Sequence, residues 1–160
     1  MKIFVASPLG FAESTKPFIR QIEAQLQQLG YQTVDPWNAS QDLEMELEKI
    51  FHLENPKEQR QAYHDVSMRI AQRNSELLRS SNGVLAVLDG ADIDSGTASE
   101  IGYAFGLGDK VINGLRTDFR RSGENDGVLV NLQVQYWIEA SGGKIITSLS
   151  DLHTLTFIRG

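Results

Sequence analysis

The sequence predicts an α/β protein, a flavodoxin-like doubly wound parallel sheet of five strands in a single domain over residues 1–160. Three observations carry this. Short apolar runs alternate with segments of helical period along the whole chain, which implies parallel strands with helices on both faces. The run Gly83-Val-Leu-Ala-Val-Leu88 is continuous, short and apolar, as a strand buried on both faces must be. The length is that of one domain, and five strands suggest the order 2-1-3-4-5.

Lys2–Ala6 is a β-branched and aromatic run ended by Ser7-Pro8-Leu9-Gly10, so it reads as a strand followed by a loop. Phe18, Ile22, Leu26 and Leu29 fall at helical spacing, and Gly30 suits the position after a helix end. Tyr31–Val34 is a second strand stopped by Asp35-Pro36. Residues 41–52 read as an acidic helix, either a flap over a site or an ordinary surface helix. Residues 57–80 form a longer helix with Tyr63, Val66, Ile70, Asn74 and Leu77 on one face. A helix over 96–107, a strand over 110–115 and a charged, Gly-rich loop over 117–127 follow. Val130, Val134, Trp137 and Ile138 predict a helix over 128–140, Lys144–Thr147 a fifth strand, and Ser150 caps a last helix with Leu152, Leu155 and Ile158.

The net charge of −6 repels phosphate backbones, so nucleic acid and anionic membrane surfaces are not expected partners. With no cysteine there are no disulfides, thiolate nucleophiles or Cys-bound metals. His52, His64 and His153 have no metal-ligand spacing, and no metal is expected. The opening apolar stretch is too short for a secretion signal and no internal run spans a bilayer, so a soluble cytoplasmic protein is expected.

In such a sheet ligands sit beyond the carboxyl ends of the strands, where the strand order reverses. The loops to inspect are Ser7–Phe11 and Asp89–Gly96. The second opens the densest polar cluster in the chain, Asp89-Gly-Ala-Asp-Ile-Asp94-Ser-Gly-Thr-Ala-Ser-Glu100. Two readings compete. Thr97-Ala-Ser-Glu100 fits a capping box, with the hydroxyl at the N-cap and Glu100 at the third position. Alternatively Asp94 and Glu100 are a carboxylate pair whose environments separate their proton affinities, as cleavage of a glycosidic bond requires. Gly96 lets a ligand approach the backbone. Neither G-x-G-x-x-G nor a P-loop nor G-x-S-x-G is present. Phe11 and Trp37 stand near the expected mouth, to stack on a planar base or to close the core edge. Arg116, Arg120 and Arg121 read as a solvated loop rather than an anion site.

The segment Asp94-Ser-Gly-Thr-Ala-Ser-Glu100-Ile-Gly-Tyr-Ala104, with Asp89-Gly90 before it and Thr117-Asp118-Phe-Arg120 and Asn131-Leu-Gln133 after it, resembles the nucleoside 2-deoxyribosyltransferase family. The resemblance runs over nearly the whole chain. It implies transfer of a 2-deoxyribosyl group between nucleobases, without a cofactor, through a covalent glutamyl intermediate and with retention. Glu100 is then the nucleophile, and Asp94 binds the base and manages its proton. Leu9, Phe11, Asn74 and Gly96 are expected to bind substrate, and Asn131 of a neighbouring subunit to reach the sugar 5′-hydroxyl. The partners implied are nucleosides, free nucleobases and further copies of the chain, as a dimer or hexamer. The helix carrying Val134, Tyr136 and Trp137 is the candidate interface. Two positions depart from the family's bacterial pattern: Phe4 stands for a tyrosine and Asn74 for an aspartate. Two other functions fit the same residues: hydrolysis of nucleosides or their 5′-monophosphates, and non-catalytic nucleotide sensing.

Overall fold

The computed structural model describes residues 1–159, with only the backbone path at Gln41 and Glu44. Five parallel strands run in the order β2-β1-β3-β4-β5: β1 (Lys2–Ala6), β2 (Gln32–Val34), β3 (Gly83–Val87), β4 (Val111–Leu115) and β5 (Ile145–Ile146). The expected order is therefore observed, and the chain reverses its winding between β1 and β3. Phe4 pairs with Val84 and Ala6 with Ala86, so β3 ends one residue beyond β1 at the reversal.

The two-residue alternation of strands divides the core. Ile3, Val5, Leu85 and Val87 face one side, under α1 (Lys16–Gln28). Phe4, Ala6, Val84 and Ala86 face the other. There they meet Leu78 at the end of α4 (Pro56–Ser80), Ile101 and Ala104 of α5 (Ser95–Leu107), and Val134 and Ile138 of α6 (Leu132–Ala140). Helix α1 ends as its sequence suggests: Gly30 takes φ +85° and the Tyr31 N–H donates back to the Leu26 carbonyl, a Schellman closure.

Several boundaries differ from the periodicity. The loop after β1 contains a 3-10 turn over Pro8–Gly10, capped by Ser7 Oγ accepting from the Leu9 N–H. A one-turn helix α2 (Pro36–Ala39) follows β2, with Asp35 as its cap and proline at its first position. The late helix starts at Leu132, because the Asn131 side chain accepts from the Gln133 and Val134 N–H groups. The last element is a 3-10 helix, Leu149–Thr154, capped by Ser148 rather than Ser150. It buries Leu152, while Ile158 lies beyond it and is exposed. The acidic helix α3 (Gln41–Ile50) packs along α4. Leu43 and Ile50 pack on Val66 of α4, and Asp42 and Glu46 pair with Arg73 and Arg69.

Arg116 is not a loop cation. It is 3% exposed and donates to the carbonyls of Leu88, Gly90 and Arg120. A buried guanidinium with several carbonyl partners is a structural tie, and this one joins the loops after β3 and β4. Among the described residues no helix is long and apolar enough to cross a membrane.

Candidate active site

A cavity of about 320 Å³ opens beyond the carboxyl ends of β1 and β3. Its walls come from every segment that meets there: Ser7 and Phe11 after β1, Pro36, Trp37 and Ser40 around α2, Leu47 of α3, and Ile70 and Asn74 of α4. Asp94, Gly96, Thr97 and Glu100 complete it from the start of α5. Ile70 and Asn74 share a wall because residues four apart stack on one helix face.

The mouth is aromatic. Phe11 is 73% exposed and sets its ring edge-on to Trp37, with centroids 4.4 Å apart. Trp37 is fixed in turn, because its Nε1–H donates to the Ser7 carbonyl at 3.1 Å. Gly10 permits this: a Cβ there would lie 2.3 Å from the indole ring. The tryptophan is thus a held wall, and Phe11 is the exposed ring of the mouth.

The polar cluster after β3 separates by task. Asp89 accepts from the Thr117 and Asp118 N–H groups and from Thr117 Oγ1, so it ties two loops. Asp92 is exposed and turns back to the Ile93 N–H. Asp94 and Glu100 alone of the four acids border the cavity. The capping box is corrected by the structure. The N-cap is Asp94, whose Oδ2 accepts from the Thr97 N–H at 2.9 Å and from Thr97 Oγ1 at 3.3 Å. Since Ser95 and Gly96 are already helical, Thr97 moves to the third position. Glu100 falls beyond the first turn and has no capping duty. Among the described residues Asp94 Oδ1 accepts no hydrogen bond.

Glu100 is half-buried. Burial raises its carboxyl from 4.5 to about 7, and the negative charge of Asp94 adds to the rise. Near neutral pH it is therefore poised between acid and carboxylate. Asn74 lies beside it, and both also border a smaller cavity of about 270 Å³ between α4 and α5, with Ser75, Ser99 and Tyr103.

The other expected site residues are placed as follows. Leu9 does not line the cavity. The Ser7–Pro8 turn rotates it into the core under α1, where it is 8% exposed. Phe4 is fully buried in the opposite core and also does not line the cavity. Asn131 lies outside this protomer's cavity. Its Oδ1 caps α6 and its Nδ2–H donates to Glu124 Oε1 at 2.7 Å, while Glu124 Oε2 accepts from the Leu132 N–H. In the expected interface helix Val134 is buried and Trp137 lies against Gly102 and Phe105, which leaves Tyr136 and Leu132 facing outward. Pro36, Ser40 and Leu47 are wall residues that local pattern did not single out, and Ile70 was marked only as a member of the Asn74 face; tertiary packing brings them together.

A carboxylate pair under an aromatic-mouthed cavity, at the reversal of a flavodoxin-like sheet, suits chemistry at a glycosidic bond. The chain belongs to the nucleoside 2-deoxyribosyltransferase family, whose sequence model matches residues 3–133. No curated protein matches it. Among solved structures it is similar to a conserved protein of Enterococcus faecalis V583, with 26% identity, a TM-score of 0.70, and coverage of 96% of this chain and 95% of that one. It is also similar to a 2-deoxyribosyltransferase of Bacillus psychrosaccharolyticus (18% identity, TM-score 0.66, 96% and 90% covered). A 2-desoxiribosyltransferase of Leishmania mexicana shares 18% identity at a TM-score of 0.64, with 96% and 94% covered. At these identities the last two likenesses speak for the fold.

Proposed function

We propose that the protein is a nucleoside deoxyribosyltransferase that moves a 2-deoxyribosyl group from one nucleobase to another through a covalent intermediate on Glu100. The observation that carries this is the half-buried Glu100 carboxyl, raised to about 7 beside Asp94 at the wall of an aromatic-mouthed cavity. The donor's base lies between Phe11 and the apolar wall. Once ionised, Glu100 attacks C1′. The C1′–O bond forms as the N-glycosidic bond breaks, and the bond's electron pair leaves with the base. Asp94, whose Oδ1 has no donor among the described residues, holds the base and handles the proton that its ring nitrogen takes up. The second base attacks C1′ from the face the first one left, and the glutamyl bond breaks. Two displacements retain configuration. The chain's own carboxylates supply the nucleophile and the proton relay, so the scheme uses no cofactor or metal.

Gly96 gives the sugar close access to the start of α5. Asn74 contacts the base beside Asp94, and Leu9 shapes the loop from the core side. Asn131, delivered by a neighbouring copy in a dimer or hexamer, contacts the 5′-hydroxyl through the amide hydrogen that Glu124 leaves free. A second copy would also shield the intermediate from water, which transfer rather than hydrolysis needs.

The test is exchange. The protein is mixed with deoxyadenosine and cytosine without phosphate, and the products are separated by chromatography. Adenine and deoxycytidine are expected, and Glu100→Ala abolishes both. Free deoxyribose without deoxycytidine would mean a hydrolase, and undiminished exchange by the variant would remove Glu100 from the chemistry.

A further inference from the structure

Three buried side-chain oxygen atoms among the described residues have no hydrogen-bond partner: Ser40 Oγ, Asn74 Oδ1 and Ser122 Oγ. Two of the three belong to walls of the same cavity. A buried polar atom without a partner is costly, and native proteins keep few of them. Ser40 is the sharper case. It is 3% exposed and stands at the N-cap of α3, where a serine hydroxyl ordinarily accepts from a helix N–H. Here it makes no such bond. The backbone angles of Ser40 (φ −119°, ψ 13°) serve the end of α2 and the start of α3 together, which leaves the hydroxyl to another partner.

We propose that Ser40 and Asn74 select the nucleobase, favouring bases that carry an exocyclic amino group next to an unprotonated ring nitrogen. The proposal rests on the cavity being the seat of a nucleoside. The cavity offers two acceptors with no donor among the described residues, Asn74 Oδ1 and Asp94 Oδ1, and one hydroxyl able to donate, Ser40 Oγ. An exocyclic amino group supplies two N–H donors to the pair of oxygens. The adjacent ring nitrogen accepts from the serine. A carboxamide already has this complementarity to an amino edge in other settings, as asparagine does with adenine. A 6-oxopurine or 4-oxopyrimidine supplies no amino hydrogen and sets its carbonyl oxygen against Asp94 Oδ1, which as a carboxylate only accepts. Ser40 and Asn74 act by holding the base edge against that carboxylate, since the serine by χ1 and the amide by χ2 can each turn to donate or to accept.

The test compares initial rates of base release from deoxyadenosine against deoxyinosine, and from deoxycytidine against deoxyuridine, each with one common acceptor base. Calorimetric titration of the protein with adenine and with hypoxanthine gives a readout independent of turnover. The amino member of each pair is expected to have the higher kcat/KM by about tenfold or more, since a site built around hydrogen bonds rejects the mismatched edge. Ser40→Ala and Asn74→Leu should each move the ratio toward one; Ser40→Ala, the smaller change, serves if the leucine variant does not fold. Equal rates in the unaltered protein, a preference for the oxo member, or ratios untouched by Ser40→Ala would overturn this inference while leaving transfer intact. No base release from any of the four donors, with no binding of either purine, would overturn both this inference and the proposed function.

Discussion

Replacing Glu100 by glutamine should stabilise the protein above neutral pH and leave it nearly unchanged in acid. The carboxyl titrates near 4.5 when unfolded and at about 7 when folded. Between those values the folded state holds a proton that the unfolded state has lost. Stability therefore falls as pH rises through this window and stays low above it. A rise of that size corresponds to about 3 kcal/mol of penalty on the folded carboxylate, at 1.36 kcal/mol per unit. Glutamine keeps the shape and cannot ionise, so the variant escapes the penalty. For a chain of this length about 3 kcal/mol is a rise in Tm of roughly 6–12 °C. The assay is thermal unfolding of both proteins at several values between pH 4 and pH 8.5. The difference between them should be near zero at pH 4, grow through pH 5–7 and level off above. Subtracting the unaltered protein cancels the carboxylates that do not interact with Glu100. Equal Tm values at pH 8, or a variant less stable there, would refute the claim that folding strains the Glu100 charge.

Asp94→Asn should keep the cap on α5, because an amide oxygen accepts from Thr97 as the carboxylate does, while removing the charge that helps raise Glu100. The acid limb of activity against pH should move to lower pH in that variant, and its thermal stability should change little. Asp94→Ala should cost about 1 kcal/mol more than the asparagine variant in urea unfolding, the usual loss for a missing cap. Arg116→Met should destabilise by at least about 2 kcal/mol, because the carbonyls of Leu88, Gly90 and Arg120 lose a charged donor; equilibrium denaturation measures it. Glu124→Ala touches an exposed group, so stability should shift by less than about 1 kcal/mol. Freed from its anchor, Asn131 should position the sugar less well, seen as a higher KM for deoxyadenosine with little change for its 5′-deoxy analogue.

The sheet was legible because its evidence is local. The apolar run of β3, the Schellman glycine at position 30 and the alternation of elements each act within a few residues. The Asp94–Glu100 segment was legible for a similar reason, being one loop and one helical turn. Which residue caps α5 was not. Asp94 and Thr97 are both good N-caps, and the choice turns on whether Ser95 and Gly96 are helical, which packing decides. That Leu9 faces the core was not legible, although the Ser7–Pro8 turn that carries it is readable as a serine cap before proline. Arg116 looked like one cation among several in a charged stretch. Its burial depends on three carbonyls distant in sequence or across a turn. Ser40 carried no sign at all: a serine before a helix is ordinary, and only the structure reveals that it does not cap.

The central claim is that Glu100 forms a bond to the sugar. Its most direct test is the intact mass of the protein quenched in acid after brief mixing with deoxyadenosine and no acceptor base, followed by peptide mapping. A population heavier by one deoxyribosyl group is expected, located on the peptide that carries Glu100, and it disappears when cytosine is added. Release of adenine with no such adduct at any time, or an adduct on another residue, would contradict it.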